Sequence, residues 1–250
     1  MQYAGIDIGS RTIELVVVDE AGRIQGSLQA DTDFDPMAKA RKMAEETSFD
    51  RIMATGYGRN LFEISFDAPT VTEIKAHAVG ARFFFPEAST VLDIGGQDSK
   101  AISIFDNGRV KKFEMNDRCA AGTGKFMEIM AKTLGFGIES FGREALRFNE
   151  ELSISSMCTV FAESEVTSLI AKGHSPQDIA MGLHKSIISR VSGMIKRVSG
   201  EGDVVFTGGV ANNPCLQKLL AEKLDRQVLL PMNPQMVGAL GAALLAREVV

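Results

Sequence analysis

The stretch "IDIGSRTIELVVVDEAGRI" (6–24) has a counterpart further along the chain, "LDIGGQDSKAISIFDNGRV" (92–110). Each copy predicts a strand that ends in Asp-Ile-Gly, then a polar turn, a second apolar strand and a turn that contains Asp and Gly. Such turns between apolar runs are typical of antiparallel hairpins. Because all these features recur in the same order, the sequence predicts two similar α/β halves that face each other.

The rest of the sequence alternates between strand and helix patterns, which predicts an α/β fold. We expect residues 1–88 and 234–250 to form one subdomain and residues 89–233 to form the other. Strands are expected within 51–58 and 203–213, each running into a glycine turn, and at 227–230. Helices are expected at 70–83, 125–134, 159–172, 176–199, 214–224 and 235–248.

The composition disfavours several classes of function. The chain has 250 residues, 45% of them apolar, and a formal net charge of −5 without a long basic run, so nucleic acid is disfavoured as a partner. The sequence shows neither a secretory signal nor an apolar run long enough for a membrane span. Three cysteines without a C-x-x-C pair argue against a disulfide framework and against a zinc finger. We therefore expect a cytoplasmic protein that binds neither nucleic acid nor membranes.

Three glycine turns follow predicted strands, at 7–10, 93–98 and 207–210. Glycine lets backbone N–H groups approach phosphate oxygens, and an aspartate at a strand end can hold Mg²⁺ through water. One such turn usually only reverses the chain, but three on a duplicated fold predict a nucleotide site. The expected catalytic residues are Asp7, Asp93 and Gln97. The expected cofactor contacts are Gly9, Ser10, Arg11, Thr12, Gly95, Gly96, Asp98, Gly208, Gly209, Val210, Asn212 and Gly238.

With these turns the chain resembles the actin/Hsp70/sugar-kinase ATPase superfamily. The resemblance implies a duplicated actin-like (ribonuclease H-like) fold, in which two subdomains surround an ATP cleft. The first two turns would clasp the phosphates, and the third turn, with Gly238 or Gly241 near the last helix, would cradle adenosine. Relatives often have a lysine where this chain has Glu14. Either Arg11 or Lys100 compensates the phosphate charge instead, or the phosphate geometry differs.

The stretch "NDRCAAGTGKF" (116–126) resembles a phosphate-binding P-loop only in part, because Cys119 replaces its first glycine and Phe126 its hydroxyl residue. Cys119 and Cys158 each follow polar residues and immediately precede a helical pattern. A helix N-terminus lowers the pKa of a thiol, and two such thiolates suit a soft metal or an iron–sulfur cluster.

A buried, inert cysteine is the alternative for each of the two positions. The matching contexts of Cys119 and Cys158 favour ligands, whereas Cys215 is expected to be structural. Because a [4Fe–4S] cluster usually takes four thiolates, one chain supplies only half of the set. A two-fold homodimer with one cluster on its axis would supply all four.

The sequence as a whole resembles the activator ATPases of 2-hydroxyacyl-CoA dehydratases. The motifs are "ATGYGRN" (54–60), "DIGGQDSK" (93–100), "NDRCAAGTGKF" (116–126), "SSMCTVFAESEV" (155–166) and "FTGGVANN" (206–213). The resemblance implies a homodimer that binds one [4Fe–4S] cluster through Cys119 and Cys158 of each subunit, with ATP or ADP and Mg²⁺ in each chain. It also implies transfer of single low-potential electrons, from ferredoxin or flavodoxin, to a partner dehydratase or reductase metalloenzyme. Related ATPases serve benzoyl-CoA reductases and double-cubane cluster proteins.

Two other functions fit the same fold class. One is a small-molecule kinase, such as an amino-sugar kinase, although the sequence shows no insert for a sugar pocket. The other is a chaperone-like ATPase in which the cysteines are incidental. Three histidines, His77, His174 and His184, lack the spacing of metal ligands, and surface or core roles are expected for them.

Overall fold

The computed structural model describes residues 1–154 and 159–249, and each half of the chain builds one sheet there. The first half contributes β1 (Gln2–Ile8), β2 (Thr12–Asp19), β3 (Ile24–Asp31), α1 (Pro36–Glu45), β4 (Arg51–Thr55), α2 (Arg59–Phe66) and α3 (Glu73–Phe84). The remainder contributes β5 (Thr90–Ile94), β6 (Ser99–Ile104), β7 (Val110–Asn116), α4 (Gly124–Thr133), α5 (Ile138–Ala145), α6 (Thr159–Ala171), α7 (Pro176–Val198), β8 (Val204–Thr207), α8 (Pro214–Leu224), β9 (Val228–Leu229) and α9 (Val237–Ala246).

The two sheets repeat one topology. Their strand orders are β3-β2-β1-β4 and β7-β6-β5-β8-β9. β1 pairs antiparallel with β2 and parallel with β4, and β5 pairs in the same way with β6 and β8. Even a ladder irregularity recurs, after Val17 in β2 and after Ser103 in β6. The predicted duplication and both hairpins are therefore confirmed.

The central strands are covered on both faces. β5 and β6 are buried at every position, as expected for strands with helices on either side. On the first sheet, Ala239, Leu240 and Ala243 of α9 pack into one cluster with Tyr3 and Val18. The last helix thus belongs to the core of the first sheet, although β8 and β9 before it belong to the second.

The helices and strands expected outside the hairpins are all present, with ends shifted by a few residues. The sequence does not predict α1, α2 and α5. α2 and α5 have only eight residues each, too short for a clear helical period. The start of α1 does carry a capping signal. Asp35, the residue before Pro36, accepts a hydrogen bond from the amide of Ala38 through its side chain.

Among the residues that the structure describes, no helix combines the length and the apolar character that crossing a bilayer requires.

Candidate nucleotide site

Two turns, one from each hairpin, form the centre of the site. In the first turn the amide of Gly9 donates to the carbonyl of Thr12 at 3.1 Å. In the second the amide of Gly95 donates to the carbonyl of Asp98 at 3.0 Å. The two turns are therefore closed by the same backbone hydrogen bond. Glycine turns of this kind allow backbone N–H groups to approach phosphate oxygens.

The two turns are in contact with each other. A Cβ added to Gly96 would lie 2.9 Å from Cβ of Arg11 and 3.0 Å from Oγ of Ser10. A side chain at position 96 would therefore force the turns apart. This contact brings the phosphate-binding candidates of both halves to one place.

A cleft of about 570 Å³ opens beside these turns. Its volume lies within the roughly 300–1,000 Å³ that is typical of ligand pockets. The predicted site residues that line it are Asp7, Gly9, Ser10, Arg11, Thr12, Asp93, Gly95, Gly96, Gln97, Asp98, Gly208, Gly209, Val210 and Asn212.

Gly238, for which the sequence predicts an adenosine contact, does not line this cleft in the structure. A Cβ at that position would collide with the carboxylate of Asp7 and lie 3.0 Å from Nε2 of His77. Gly241, the alternative, abuts the carbonyl of Ala76 in α3. Both glycines therefore allow α9 to approach its neighbours closely, which is a packing role.

The two strand-end aspartates are joined by a histidine. The Nδ1 atom of His77 lies 3.5 Å from Oδ1 of Asp93 and 3.2 Å from Oγ1 of Thr207, and its Nε2 atom lies 4.0 Å from Oδ2 of Asp7. Burial by itself raises the pKa of Asp93, but His77 and Lys100 hold that pKa below its usual value. His77 is thus buried, as one of the two expected roles requires, but it also lies between the catalytic candidates, which the sequence does not predict.

The spacing of α3 contains the signal for this histidine. Glu73 and His77 are four residues apart in α3. Glu73 is half-buried, and apart from His77 the buried residues of this helix are alanine and glycine. Residues at this spacing lie on the same helix face, so both point at one site. Glu73 lines the cleft as well.

Lys100 is an ammonium group enclosed by carboxylates. Its Nζ atom lies 2.6 Å from Glu73, 3.2 Å from Asp93 and 2.8 Å from Asp98, and only 2% of the residue is exposed. These carboxylates raise its pKa in spite of its burial. An ammonium has three N–H donors, and each has a carboxylate partner here. Of the two cations considered for phosphate contact, Arg11 is therefore the better candidate.

The first half carries two acids without such a cation of its own. Burial, with the charges of Glu73 and Glu14, raises the pKa of Asp7 well above its usual value. Burial, with the charge of Asp93, raises the pKa of Glu14 to about 7. Carboxylates that resist ionisation when alone gain most from a nearby cation. This donor set suits a hard divalent cation such as Mg²⁺.

The third turn follows β8 and needs glycine at its first position. Gly208 has φ +85°, and a Cβ there would collide with the carbonyl of Ile94 and lie 2.8 Å from Oδ1 of Asp93. The adjoining 3₁₀ turn, Gly209–Asn212, lines the cleft with Val210. This wall is the one expected to contact the nucleoside.

A further part of the cleft wall comes from α5, which the sequence does not predict. Ile138, Glu139 and Gly142 line the cleft there, as do Asn213 and Pro214. A Cβ on Gly142 would collide with the side-chain amide of Asn213. α5 is held close to the third turn because residue 142 has no side chain.

The Cys119 loop is attached to the second turn. The amide of Gly124 donates to the carbonyl of Gly95 at 2.9 Å, and the amide of Lys125 donates to the carbonyl of Gly96 at 2.8 Å. α4 begins at Gly124, five residues after Cys119, so the cysteine does not immediately precede the helix as expected. The first two amides of α4 therefore bond the carbonyls of the second turn.

The structure describes Cys215 but not Cys158. Cys158 lies outside the described residues. Cys215 is fully buried, and burial raises the pKa of its thiol to about 12, in agreement with a structural role. Among the described parts of the chain, no group of three or more His, Cys, Asp and Glu residues could hold a metal ion.

A family model described as the BadF/BadG/BcrA/BcrD ATPase family matches residues 4–246. The 2-hydroxyisocaproyl-CoA dehydratase activator of Clostridioides difficile is 38% identical over 98% of this chain and 95% of its own length. The activator of lactoyl-CoA dehydratase of Anaerotignum propionicum is 41% identical over 99% and 98%. One of the subunits of the benzoyl-CoA reductase of Thauera aromatica is less similar, at 31% identity over 96% and 91%.

Solved structures agree with these matches. Component A of the (R)-2-hydroxyglutaryl-CoA dehydratase of Acidaminococcus fermentans has a TM-score of 0.93 at 38% identity, over 99% of this chain and 98% of its own. The Clostridium difficile activator with bound ADPNP has a TM-score of 0.90 at 37% identity, over 99% and 95%. A Streptomyces griseus ROK-family glucokinase, with a TM-score of 0.61 at 15% identity over 99% and 100%, shares the fold alone. The expected fold is thereby confirmed.

Proposed function

Because this chain belongs to the BadF/BadG/BcrA/BcrD ATPase family, we propose that it is the activating ATPase of a 2-hydroxyacyl-CoA dehydratase. In this role it hydrolyses ATP and donates single low-potential electrons to its partner metalloenzyme. The full-length similarity to dehydratase activators, and the lower identity to the benzoyl-CoA reductase relative, favour a dehydratase as the partner.

One observation carries the proposal: backbone hydrogen bonds connect the segment after Cys119 to the second phosphate turn. The bonds from Gly124 and Lys125 to Gly95 and Gly96 join the start of α4 to the turn that would hold phosphate. Any displacement of this turn on ATP binding or hydrolysis is therefore passed to the segment that follows Cys119. An ATP-driven electron donor requires such a connection, because the state of the nucleotide must reach the cluster ligands.

The nucleotide residues have the following proposed roles. Backbone amides of the turns at Gly9 and Gly95 contact phosphate, and Arg11 adds positive charge. Asp7 and Asp93 hold Mg²⁺ through water, which fits the raised pKa of Asp7. Gln97 orients the attacking water or contacts the phosphate, and the third turn contacts the nucleoside. The division into subdomains at 1–88 with 234–250 and at 89–233 places one phosphate turn in each.

The proposed cluster ligands are Cys119 and Cys158 from each of two chains. Cys119 is half-buried in a loop, as a ligand near a surface would be, and packs against the core of the second half. The side chain of Phe161, close behind Cys158 in sequence, is 67% exposed, which suits a surface covered by a second copy. When bound, a [4Fe–4S] cluster supplies the group that accepts and releases one electron. We further propose a cytoplasmic homodimer that ferredoxin or flavodoxin reduces.

Anaerobic purification with iron and sulfide analysis tests this function. We expect a brown dimer with about four iron atoms per two chains, as four thiolates require. The double variant Cys119→Ala, Cys158→Ala should lose the iron and the visible absorption, whereas the control Cys215→Ala should keep both. A colourless wild-type protein whose ATP hydrolysis is the same in the double variant would overturn the proposal.

A further inference from the structure

α4 contacts both phosphate turns, and it does so in two different ways. The second turn is bonded to its first amides, as described above. The first turn reaches it through a side chain, because Nε of Arg11 donates to Oε1 of Glu128 at 2.7 Å. Arg11 lies in the first hairpin and Glu128 in α4, so this ion pair crosses from one half of the molecule to the other.

The ion pair between Arg11 and Glu128 is weak enough for a phosphate group to replace Glu128. The Arg11 side chain is 55% exposed and that of Glu128 is 28% exposed, and ion pairs with this exposure contribute little to stability. A nucleotide phosphate is a stronger partner for a guanidinium, because it carries more negative charge than a carboxylate and can likewise accept two parallel hydrogen bonds. Both side chains line the cleft, so a phosphate there would compete directly for Arg11.

The neighbouring charged groups allow Arg11 either to stay on Glu128 or to leave it for a phosphate. The Nη1 atom of Arg11 lies 3.8 Å from Asp31, a contact too long for a hydrogen bond. The Nζ atom of Lys125 lies 3.4 Å from Oε2 of Glu128, so the carboxylate keeps a cation when Arg11 leaves it. Arg11 lies at the contact between the two turns, beside Gly96, so a change in the spacing of the turns would also move Arg11.

We propose that Arg11 exchanges Glu128 for a nucleotide phosphate, and that this exchange changes how α4 and the Cys119 loop are held. Glu128 is then a positioning residue: it acts through Arg11 and does not touch the nucleotide. The inference rests on the proposed function of the first turn in phosphate binding. It adds a side-chain connection between that turn and the cysteine loop.

A double-mutant cycle, with binding of Mg²⁺-ADPNP measured by calorimetry, tests the exchange. Arg11→Gln should weaken binding about tenfold, because a charged hydrogen-bond partner is lost. Glu128→Gln should tighten binding about threefold by freeing Arg11, and should have no effect when Arg11 is already Gln. The control Glu222→Gln, on the exposed face of α8, should leave the affinity unchanged.

The cycle separates exchange from simple repulsion between Glu128 and phosphate. If Glu128→Gln tightens binding equally in both backgrounds, charge alone explains the effect and the proposal is overturned. The absence of any effect in either background overturns it as well. Thermal unfolding of each variant checks that the fold is retained.

Hydrogen exchange in peptides that cover 119–130 reads out the second part of the proposal. In the wild type, ADPNP should alter exchange in this segment more than ADP does, and Glu128→Gln should reduce that difference by at least half. An unchanged difference would contradict the coupling. Neither measurement needs iron, so a colourless protein that gives the expected cycle would overturn electron transfer but leave the exchange intact.

Discussion

The two hairpins have the same strand pairing and the same turn hydrogen bond but are opposite in charge at one position. In the first, Asp7 pairs in register with Glu14, and in the second, Asp93 pairs in register with Lys100. Both partners are buried, Glu14 at 4% and Lys100 at 2% exposure. One cross-strand position therefore holds a carboxylate in one half and an ammonium in the other.

This difference separates the work of the two halves. Lys100 offsets part of the negative charge of Glu73, Asp93 and Asp98. Burial is the main reason why the pKa values of Asp7 and Glu14 are raised, and neighbouring carboxylates raise them further; the charge of Lys100 opposes this shift at Asp7 only in part. The duplicated fold places Asp7 and Asp93 at equivalent strand ends, but of these two aspartates it is Asp93 that has a lysine paired with it across the hairpin. Removing the charge of Lys100 should destabilise the protein, whereas removing the charge of Glu14 should stabilise it.

The largest effect is expected for Lys100→Met. It leaves three carboxylates without their buried cation, and breaking a buried ion pair typically costs about 3–5 kcal/mol. The free energy of unfolding, measured by denaturant titration at pH 7, should fall by that amount. The control Lys223→Met removes an exposed lysine and should change stability by less than about 0.5 kcal/mol. A loss below about 1 kcal/mol for Lys100→Met would show that the second half does not depend on its lysine.

Glu14→Gln should raise the free energy of unfolding, whereas Lys100→Met lowers it. The folded protein raises the pKa of Glu14 from 4.5 to about 7, so the native state keeps a proton that the unfolded chain releases. Stability therefore falls as pH rises from about 4.5 to about 7, by roughly 3 kcal/mol in full. At pH 8 the variant should be more stable than the wild type by most of that amount, and at pH 4.5 by little.

Denaturant titrations at several pH values measure this slope. Glu45→Gln, at an exposed position of α1, is the matched control and should show the pH dependence of the wild type. Equal stability differences at pH 4.5 and pH 8 would mean that Glu14 is ionised normally in the folded protein.

The sequence predicted the duplication because its signals are local. Asp-Ile-Gly turns and Asp-Gly or Asn-Gly turns leave a pattern within 20 residues, and the structure confirms both hairpins. The sequence also contains Glu14 and Lys100 at matched positions. Their burial could not be predicted from this pattern, because it depends on α3, α9 and the opposite hairpin, which are distant in sequence.

The parts of the site that the sequence missed come from packing between distant segments. His77 reaches Asp93 only because α3 lies against the second sheet, and Gly238 contacts Asp7 because α9 returns to the first. The bonds from α4 to Gly95 and Gly96 likewise join segments about 30 residues apart. No short motif records these contacts, although the spacing of Glu73 and His77 gave one indication.

The smallest effects are expected at the outer turns of the two hairpins, where the halves should behave alike. Gly22 and Gly108 occupy equivalent turns with φ +80° and +82°, a conformation that costs other residues roughly 1 kcal/mol. Near Gly108 an added Cβ meets only the Arg82 side chain, at 3.9 Å, whereas at Gly22 it would lie 2.6 Å from Nη1 of Arg247. Since that side chain can move, Gly22→Ala and Gly108→Ala should each cost about 1 kcal/mol in denaturant titrations.

Gly26→Ala is the control. Gly26 lies in β3 with open space around it and no positive φ, so this substitution should not destabilise the protein. A larger loss at Gly22 than at Gly108 would show that the Arg247 side chain does not move aside for the added methyl group.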